Sequence, residues 1–483
     1  MLFNSLDFLI FLPLVLIAYI LCPIKYRWLL LLIASYYFYM SWNASYAFLI
    51  AFSTVITYAS GLLLGKAESL TRRKIILAIS FTVNLLILFF YKYFNFFSES
   101  IETVIGFLGM KLDLPQLNFL LPVGISFYTF QALSYTVDVY RKEIEPEKNL
   151  GIYALFVSFF PQLVAGPIER SKHLLPQLKI LQQLSYTNLR SGGYLILWGL
   201  FKKMVIADNV SVLVNSLYNT PSEYTGIETT IGVLFFSVQI FCDFSAYTDI
   251  ARGVARLMGI DLMKNFDSPY FAMNITEFWR RWHISLSTWF RDYLYIPLGG
   301  SRKGTNRMYI NLFLVFLISG LWHGASINFV IWGGLHGTLI VIEKMFSKSI
   351  NIYNWNKSLL SYKVFKIGLN FLMVTFLWIF FRADTFADTI IVVSNLFNWD
   401  MNNVFNGNIY TLGLSMGQFW ITIFFISLML VVEYYNSFIT SIRELIMRQN
   451  IVFRWSIYLG VVLSILFFGN YGGEQQQFIY FQF

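Results

Sequence analysis

Charged residues and cysteine are both scarce in this chain. Of its 483 residues, 13% are charged and 57% are hydrophobic. Only two residues are cysteine. Cys22 and Cys242 lie far apart in apolar segments, with no metal-ligand spacing around either, so neither is assigned a role. A composition this apolar excludes a water-soluble fold and predicts a membrane protein.

Several motifs of catalysis and transport are also missing. The chain has no phosphate-binding glycine–lysine loop, no zinc-protease histidine pair and no dinucleotide fingerprint. Nothing in the sequence therefore supports ATP-driven transport, metal-dependent hydrolysis or redox chemistry, and no metal site is predicted. The net charge of +9 comes from basic residues scattered in short loops. This pattern is typical of the positive-inside rule for membrane proteins and does not indicate nucleic-acid binding.

Apolar segments long enough to cross a membrane recur along the whole chain. A hydrocarbon core of roughly 30 Å requires about 20 apolar helical residues. We therefore predict an all-α polytopic membrane protein with roughly 11 to 13 membrane segments, including re-entrant or interfacial helices. Residues 1–483 are predicted to form a single membrane domain. The basic loop 66–74 is expected in the cytoplasm. Segment Gly151–Ala165 is expected to enter and leave on the same side, with Pro161, Gly166 and Pro167 breaking the helix.

The segment 275–337 contains the residues most suggestive of chemistry. On a helical wheel at about 100° per residue, Glu277 to Tyr293 separates into an apolar aromatic face and an arginine-rich face. This pattern predicts one interfacial helix, since tryptophan and tyrosine favour the membrane–water boundary. His283 lies at the edge of the apolar face. The apolar face consists of Trp279, Trp282, Leu286, Trp289, Phe290 and Tyr293.

Two histidines are the main catalytic candidates. His323 lies within the uncharged apolar stretch Ile310–Gly324, where an unpaired imidazole costs several kcal/mol and by default marks a function. The alternative is a core histidine bonded to a carbonyl or to Ser319. For His283 the alternative is an interfacial residue that touches water or lipid headgroups.

His336 is a weaker candidate. It lies 13 residues beyond His323, which on one continuous helix is about 20 Å away. His336 can join the site only if the helix breaks near Asn328, so a packing role or a role along the substrate path is favoured.

Two carboxylates, Asp243 and Asp249, interrupt another apolar span. Membrane carboxylates pair with cations or bind polar substrates. Arg252 and Arg256 are candidate structural partners, and the sequence leaves function and architecture equally open. Together with Ser319 and His336, these two acids are the candidate lining of a polar channel.

The motifs of this chain resemble those of one family. Residues 279–287, Trp-Arg-Arg-Trp-His-Ile-Ser-Leu-Ser, are followed by Gly-Leu-Trp-His-Gly at 320–324. This combination resembles the membrane-bound O-acyltransferases, in particular the branch that O-acetylates alginate. The resemblance extends over nearly the whole chain, through segments 1–5, 165–170, 242–245, 291–300 and 478–481.

The resemblance implies a multi-helix fold with a tunnel across the bacterial cytoplasmic membrane. Such enzymes take an acyl group, here most simply acetyl, from a cytoplasmic thioester and pass it to a hydroxyl on the far side. The implied donor is acetyl-CoA or an acyl carrier protein, and the implied partner is an extracytoplasmic acetyltransferase or acyl-relay protein. Relatives modify alginate, peptidoglycan, other exported glycans or teichoic acids. The invariant family histidine matches His323, and the second family histidine matches His283.

The residues suit this chemistry. A neutral imidazole can take the proton of a hydroxyl as it attacks a thioester carbonyl, so His323 is the hypothetical base. His283 is then expected to orient the acyl carrier or to stabilise the oxyanion. The residues expected to hold the donor or its carrier protein are Arg280, Arg281, Trp282 and Arg291.

The apolar tail 472–483 adds one further hypothesis. Tyr480 follows a glycine–glycine hinge and is a candidate acyl relay, although an aromatic interfacial anchor is the simpler interpretation. Two rival functions remain at this point. One is a membrane carrier for a glycan precursor, and the other is a scaffold subunit of an acetylation complex.

Overall fold

The computed structural model describes residues 1–180, 184–350, 359–399, 407, 410, 412–471 and 478–479, without the side chains of 347–350. Across these residues the regular secondary structure is helical and includes no strand. This finding confirms the predicted all-α fold class. Three π-helical turns interrupt the α-helices, at Phe89–Tyr93, Phe201–Ala207 and Arg291–Tyr295.

The α-helices are numbered here in chain order. The first eleven are α1 Leu6–Leu21, α2 Arg27–Met40, α3 Tyr46–Lys66, α4 Leu70–Leu88, α5 Phe94–Phe107, α6 Ile125–Tyr140, α7 Leu150–Ser158, α8 Phe160–Leu163, α9 Ser171–Lys179, α10 Tyr186–Leu200 and α11 Asp208–Asn219. The remainder are α12 Gly226–Leu257, α13 Ile275–Arg281, α14 Ile284–Phe290, α15 Thr305–His323, α16 Ile327–Ile350, α17 Leu360–Arg382, α18 Phe386–Asn395, α19 Met416–Phe438, α20 Ile442–Arg448 and α21 Ile451–Phe468.

Among the described helices, seven are long and apolar enough to cross a membrane. Two shorter helices, α1 and α18, are also apolar. These helices confirm a multi-pass membrane protein. The seven are Tyr46–Lys66, Leu70–Phe107, Gly226–Leu257, Ile327–Phe346, Leu360–Arg382, Met416–Phe438 and Ile451–Phe468.

The chain divides into two compact units. The first unit contains Met1–Ile196 and Thr248–Met263, and the second contains Leu197–Tyr247 and Lys264–Phe483. The candidate histidines His283, His323 and His336 all belong to the second unit. The single membrane domain 1–483 stays a prediction.

In the first unit, the helix break expected within Gly151–Ala165 is confirmed. Helix α7 ends at Ser158, Phe159 takes a non-helical conformation, and α8 begins with Pro161 in its first turn. Buried side chains bond to the freed backbone groups. The amide of Gln131 donates to the carbonyl of Phe156 at 2.6 Å, and the N–H of Phe160 donates to the hydroxyl of Ser35 at 3.1 Å. Irregular backbone therefore stays satisfied inside the protein.

In the second unit, α15 and α16 form a closely packed antiparallel hairpin. A Cβ atom at Gly320 would lie 2.2 Å from the carbonyl oxygen of Phe329, and one at Gly333 would lie 2.3 Å from that of Phe316. Only glycine permits helices to approach this closely. The chain reverses through residues 324–326, so α15 and α16 do not form one continuous helix. This break allows His336 to lie near His323.

The predicted single interfacial helix from Glu277 to Tyr293 is wrong. Helix α13 ends at Arg281 and α14 begins at Ile284, with a sharp turn of the backbone between them. The expected lipid-facing residues Trp279, Trp282 and Leu286 are instead buried within the protein. The hydrophobic periodicity of this segment comes from two short helices that pack into the protein core. A single helical wheel drawn across the turn between them gives the same pattern as one surface helix.

Candidate functional site

His283 occupies the turn between α13 and α14. Its backbone is left-handed, with φ 43° and ψ 54°, a conformation that costs a residue other than glycine on the order of 1 kcal/mol. Its side chain is fully buried, with 0% exposure. Such strain persists only where the surroundings impose it, and it concentrates at functional sites.

Asn265 holds this turn in place. Its main-chain oxygen accepts the N–H of Ile284 at 2.9 Å, and its side-chain oxygen accepts the N–H of Ser285 at 3.1 Å. On the other side of the turn, the N–H of Asp267 donates to the carbonyl of Arg281 at 2.9 Å. The backbone on both sides of His283 is therefore tied to the segment 265–267.

His323 is the last residue of α15 and is buried. Its ring centroid lies 6.4 Å from that of His283, with the ring planes at 65°. Trp322 packs against both imidazoles, at 4.9 Å from the ring of His323 and 6.1 Å from that of His283. The two histidines that the sequence singled out thus lie together at one place in the second unit.

Burial determines the charge of His283. It lowers the pKa of this imidazole to about 3 because the positive form would lose its hydration. The ring is therefore neutral near physiological pH, with one nitrogen that donates and one that accepts a hydrogen bond. A neutral ring of this kind can orient a reacting group or donate to a developing oxyanion.

His336 lies behind the histidine pair. The indole N–H of Trp279 donates to its Nδ1 at 3.2 Å, which assigns the proton of the neutral ring to Nε2. Trp332 separates His336 from His323, with ring centroids 4.8 Å and 5.1 Å away respectively. These contacts give His336 a packing position that fixes Trp279.

A cleft of about 250 Å³ adjoins this region. Its polar lining includes three cations, contributed by Arg280, Arg291 and Lys344. Ser319 also lines the cleft, and it precedes His323 by four residues of α15, a rise of about 6 Å. The apolar and hydroxyl-bearing remainder of the lining consists of Thr276, Trp279, Leu286, Ser287, Phe290, Tyr295, Leu312, Val315, Phe316 and Ile340.

Two residues expected to hold the donor lie elsewhere. Arg281 donates to the carboxylate of Glu277 at 2.7 Å and to the hydroxyl of Ser437 at 2.7 Å, and it does not line the cleft. Trp282 is buried in an aromatic core, 5.0 Å from the ring of Trp378. The first two arginines of the motif therefore separate, with Arg280 in the cleft and Arg281 in a structural ion pair.

The channel candidates also separate. Asp243 is buried and pairs with Lys203 at 2.8 Å. Asp249 pairs with Arg252 at 3.6 Å, as one of the sequence alternatives expected. Arg256 pairs with Asp261 instead. The relay candidate Tyr480 lies outside the described residues.

Sequence reasoning missed three residues of this region. Asn265 bonds to the turn at His283, Lys203 pairs with Asp243, and Lys344 lines the cleft, and all three lie in segments without a recognisable motif. Lys203 could have been found from the sequence, because a charged residue inside an apolar stretch indicates a structural or functional role. It interrupts the apolar segment from Gly192 to Leu217. The remaining two become visible only after the chain has folded.

Comparison with known proteins identifies the family. A model described as the membrane-bound O-acyltransferase family matches residues 141–383. The chain belongs to this family. It is therefore an O-acyltransferase of the membrane, as the resemblance of its motifs implied.

Relatives of this O-acyltransferase align over most of its length. A probable alginate O-acetylase of Pseudomonas putida is 41% identical over 388 residues, covering 80% of this chain and 78% of the relative. A probable alginate O-acetylase of Pseudomonas aeruginosa is 38% identical over 448 residues, covering 90% and 82%. A peptidoglycan O-acetyltransferase of Helicobacter pylori is 35% identical over 392 residues, covering 76% and 73%.

Proposed function

We propose that this enzyme moves an acetyl group from a cytoplasmic thioester donor across the membrane for O-acetylation of an exported polysaccharide or cell-wall glycan. The observation that carries the proposal is the pair of buried histidines beside a cleft with a cationic lining. The names of the aligned relatives, alginate O-acetylase and peptidoglycan O-acetyltransferase, support the acetyl group and the class of acceptor.

His323 is the proposed general base. A hydroxyl is a poor nucleophile near neutral pH, so its proton must be removed as its oxygen attacks the thioester carbonyl carbon. The imidazole of His323 takes that proton, the carbon–oxygen bond forms, and the carbon–sulfur bond breaks. The proton then passes to the departing sulfur, which leaves as a thiol and regenerates the neutral base.

His283 is proposed to act on the carbonyl oxygen. That oxygen becomes negative during the attack, and a neutral ring nitrogen bearing a proton can stabilise it by a hydrogen bond. The strained turn and the hydrogen bonds that Ile284 and Ser285 donate to Asn265 support this role, because they fix the backbone that carries the imidazole before the reaction.

The cleft is the proposed donor site. Arg280, Arg291 and Lys344 suit the phosphates of acetyl-CoA or the acidic surface of an acyl carrier protein. The apolar lining suits the less polar arm that bears the thioester. Because cations are enriched on the inner side of membrane proteins, we assign the cleft to the cytoplasmic face of the bacterial inner membrane.

The far side of the reaction requires an acceptor. We propose an extracytoplasmic acetyltransferase or acyl-relay protein as the partner that completes transfer to the polymer. Tyr480 is a proposed carrier within the chain itself. Its hydroxyl would attack the thioester, release the thiol and hold the acetyl group as an ester until an acceptor hydroxyl displaces it.

The relay is tested by Tyr480→Phe, which keeps the ring and removes the hydroxyl. We expect acetylation of the polymer to be lost while membrane abundance is unchanged. Acetylation equal to that of the unmodified enzyme would dismiss the relay and leave the tail as an aromatic anchor.

The catalytic proposal is tested in a host deleted for this gene. The unmodified enzyme and His323→Ala are expressed, and base-labile acetate is measured on purified exported polysaccharide and on peptidoglycan. We expect the unmodified enzyme to restore acetate on one polymer and His323→Ala to leave none above background at equal membrane abundance. Equal restoration by both proteins would make His323 structural and favour the carrier or scaffold alternatives.

A further inference from the structure

A buried group of charges lies close to the histidine pair, and the mechanism above does not use it. Lys203 lies between two carboxylates, 2.8 Å from Asp208 and 2.8 Å from Asp243. All three side chains are nearly excluded from the surface. Lys203, Asp208 and Asp243 are called the anchor cluster below. Buried ion pairs contribute little net stability, so their presence calls for another explanation.

The segment after α21 bonds to the same part of the chain. The N–H of Asn470 donates to the carbonyl of Met204 at 3.1 Å, and its side-chain amide donates to the carbonyl of Asp208 at 3.3 Å. The amide of Asn209 donates to the carbonyl of Phe468 at 2.9 Å. These bonds fix the chain before the tail begins.

The tail itself bonds to the anchor cluster. The N–H of Ile479 donates to Oδ2 of Asp243 at 2.7 Å, while Oδ1 of the same carboxylate faces Lys203. Ile479 and Phe478 are both buried. A carboxylate that is already neutralised by a lysine can accept a backbone N–H strongly without leaving an unpaired charge in the interior.

Aromatic contacts connect the docked tail to the site. The ring of Phe478 lies 4.7 Å from Tyr247 and 5.7 Å from Phe244. Phe244 in turn lies 4.7 Å from the ring of His283. One aromatic ring therefore separates the tail from the second catalytic histidine.

We propose that the anchor cluster is the docking site of the C-terminal tail, and that Asp243 is a positioning residue that holds Ile479 beside the histidine pair. The effect on turnover rests on the proposed function, whereas docking itself does not. The bond is to the backbone N–H, so Asp243 fixes where Ile479 lies independently of the Ile479 side chain.

Docking is measured directly by cysteine labelling. In full-length enzyme with Cys22→Ser and Cys242→Ala, Ile479→Cys keeps the backbone N–H and places a thiol in the docked segment. We expect slow reaction with a maleimide, and a rate about ten-fold higher once Asp243→Ala is added, because a hydrogen bond to a charged group is lost. Val374→Cys, at a fully buried position of α17, reports global unfolding and should stay protected.

A second pair of variants removes the bond from the other side. Ile479→Pro has no N–H, whereas Ile479→Val retains it, so the pair differs in the proposed bond at similar side-chain size. We expect turnover of the proline variant to be about ten-fold below that of the valine variant. The apparent affinity for the thioester donor should be equal in both, since none of these residues lines the cleft.

The two sides of the bond are then combined. If Asp243→Ala and Ile479→Pro act through one contact, the double variant loses little more than the worse single variant. Unchanged labelling of Ile479→Cys in Asp243→Ala, or equal turnover of the proline and valine variants, would overturn the proposal. If Asp243→Ala also exposes Val374→Cys, the variant has unfolded and its labelling does not report docking. The comparison of Ile479→Pro with Ile479→Val then decides whether the tail bond matters, because these two variants leave the anchor cluster intact. An enzyme without acetyl transfer would refute the proposed function while the labelling result still reports docking.

Discussion

Buried polar side chains serve different ends in the two units. In the first unit, the guanidinium of Arg73 donates to the carbonyls of Leu64 at 2.7 Å and Val139 at 3.1 Å, and so joins the C-terminal ends of α3 and α6. In the second unit, His283 and His323 are enclosed by aromatic rings. The first arrangement satisfies main-chain groups, whereas the second keeps titratable rings dry and close together.

Substitutions in the two kinds of position should therefore affect different properties of the enzyme. Where a polar group bonds to buried main-chain atoms, its removal leaves them unsatisfied and costs stability. Where a polar group is held for chemistry, its removal changes the rate while the surrounding rings still pack. Stability and turnover should therefore respond separately to substitution.

Two neighbouring arginines of one motif illustrate the two kinds of position. Arg280 lines the cleft, while its neighbour Arg281 bonds to Glu277 and Ser437. We expect Arg280→Ala to raise KM for the thioester donor about 10- to 100-fold, because a charge-assisted contact to the donor is lost. Arg281→Ala should mainly lower the melting temperature. Steady-state kinetics with the purified enzyme checks both, and an equal rise in KM for the two variants would contradict the placement of the donor.

Asn265 is expected to affect the rate although it touches no substrate, because it holds the turn at His283. Asn265→Ala removes the acceptor for the N–H of Ser285 and loosens the strained turn at His283. We expect kcat to fall about ten-fold with KM unchanged, because small displacements of a catalytic group are costly. The matched control is Asn370→Ala, since Asn370 is also buried and donates to the carbonyl of Ala272 at 3.0 Å. Both variants should lose stability, and a fall in kcat of the same size in the control would make Asn265 merely structural.

The sequence carried the identity of the histidines but not their arrangement. An imidazole in an apolar stretch is expensive, so His323 was visible from composition alone. Its distance from His283 depends on a left-handed residue and on a glycine-packed hairpin, and neither follows from hydrophobic periodicity. The prediction of one interfacial helix from Glu277 to Tyr293 was wrong for that reason.

Charge partners show the same limit. Asp249 and Arg252 are three residues apart on one helix, so their pairing follows from helix geometry. Asp243 pairs with Lys203, forty residues earlier in the chain. No local rule predicts such a contact. Sequence-based reasoning therefore recovers partners within a helix and misses those that tertiary packing brings together.

The smallest expected effect tests the first unit through pH. Nδ1 of His173 lies 2.8 Å from the buried carboxylate of Glu169, and this hydrogen bond raises the pKa of His173. Burial raises the pKa of Glu169, and Asp261 is the other acid that acts on the pair. Because the folded pKa of His173 exceeds the unfolded value of about 6.5, its contribution to stability is full below that pH and is lost as pH rises through the folded pKa.

His173→Gln should therefore lower the melting temperature more at pH 6 than at pH 9. The histidine is partly exposed, so we expect a contribution below about 1 kcal/mol. The measurement is thermal unfolding of both proteins across this pH range, with kcat measured in parallel. Since His173 bonds to a structural carboxylate and lies in the unit without the histidine pair, kcat should not change. A difference in melting temperature that grows with pH would contradict the assigned direction of the pKa shift of His173. A loss of kcat would contradict the assignment of stability to the first unit and chemistry to the second.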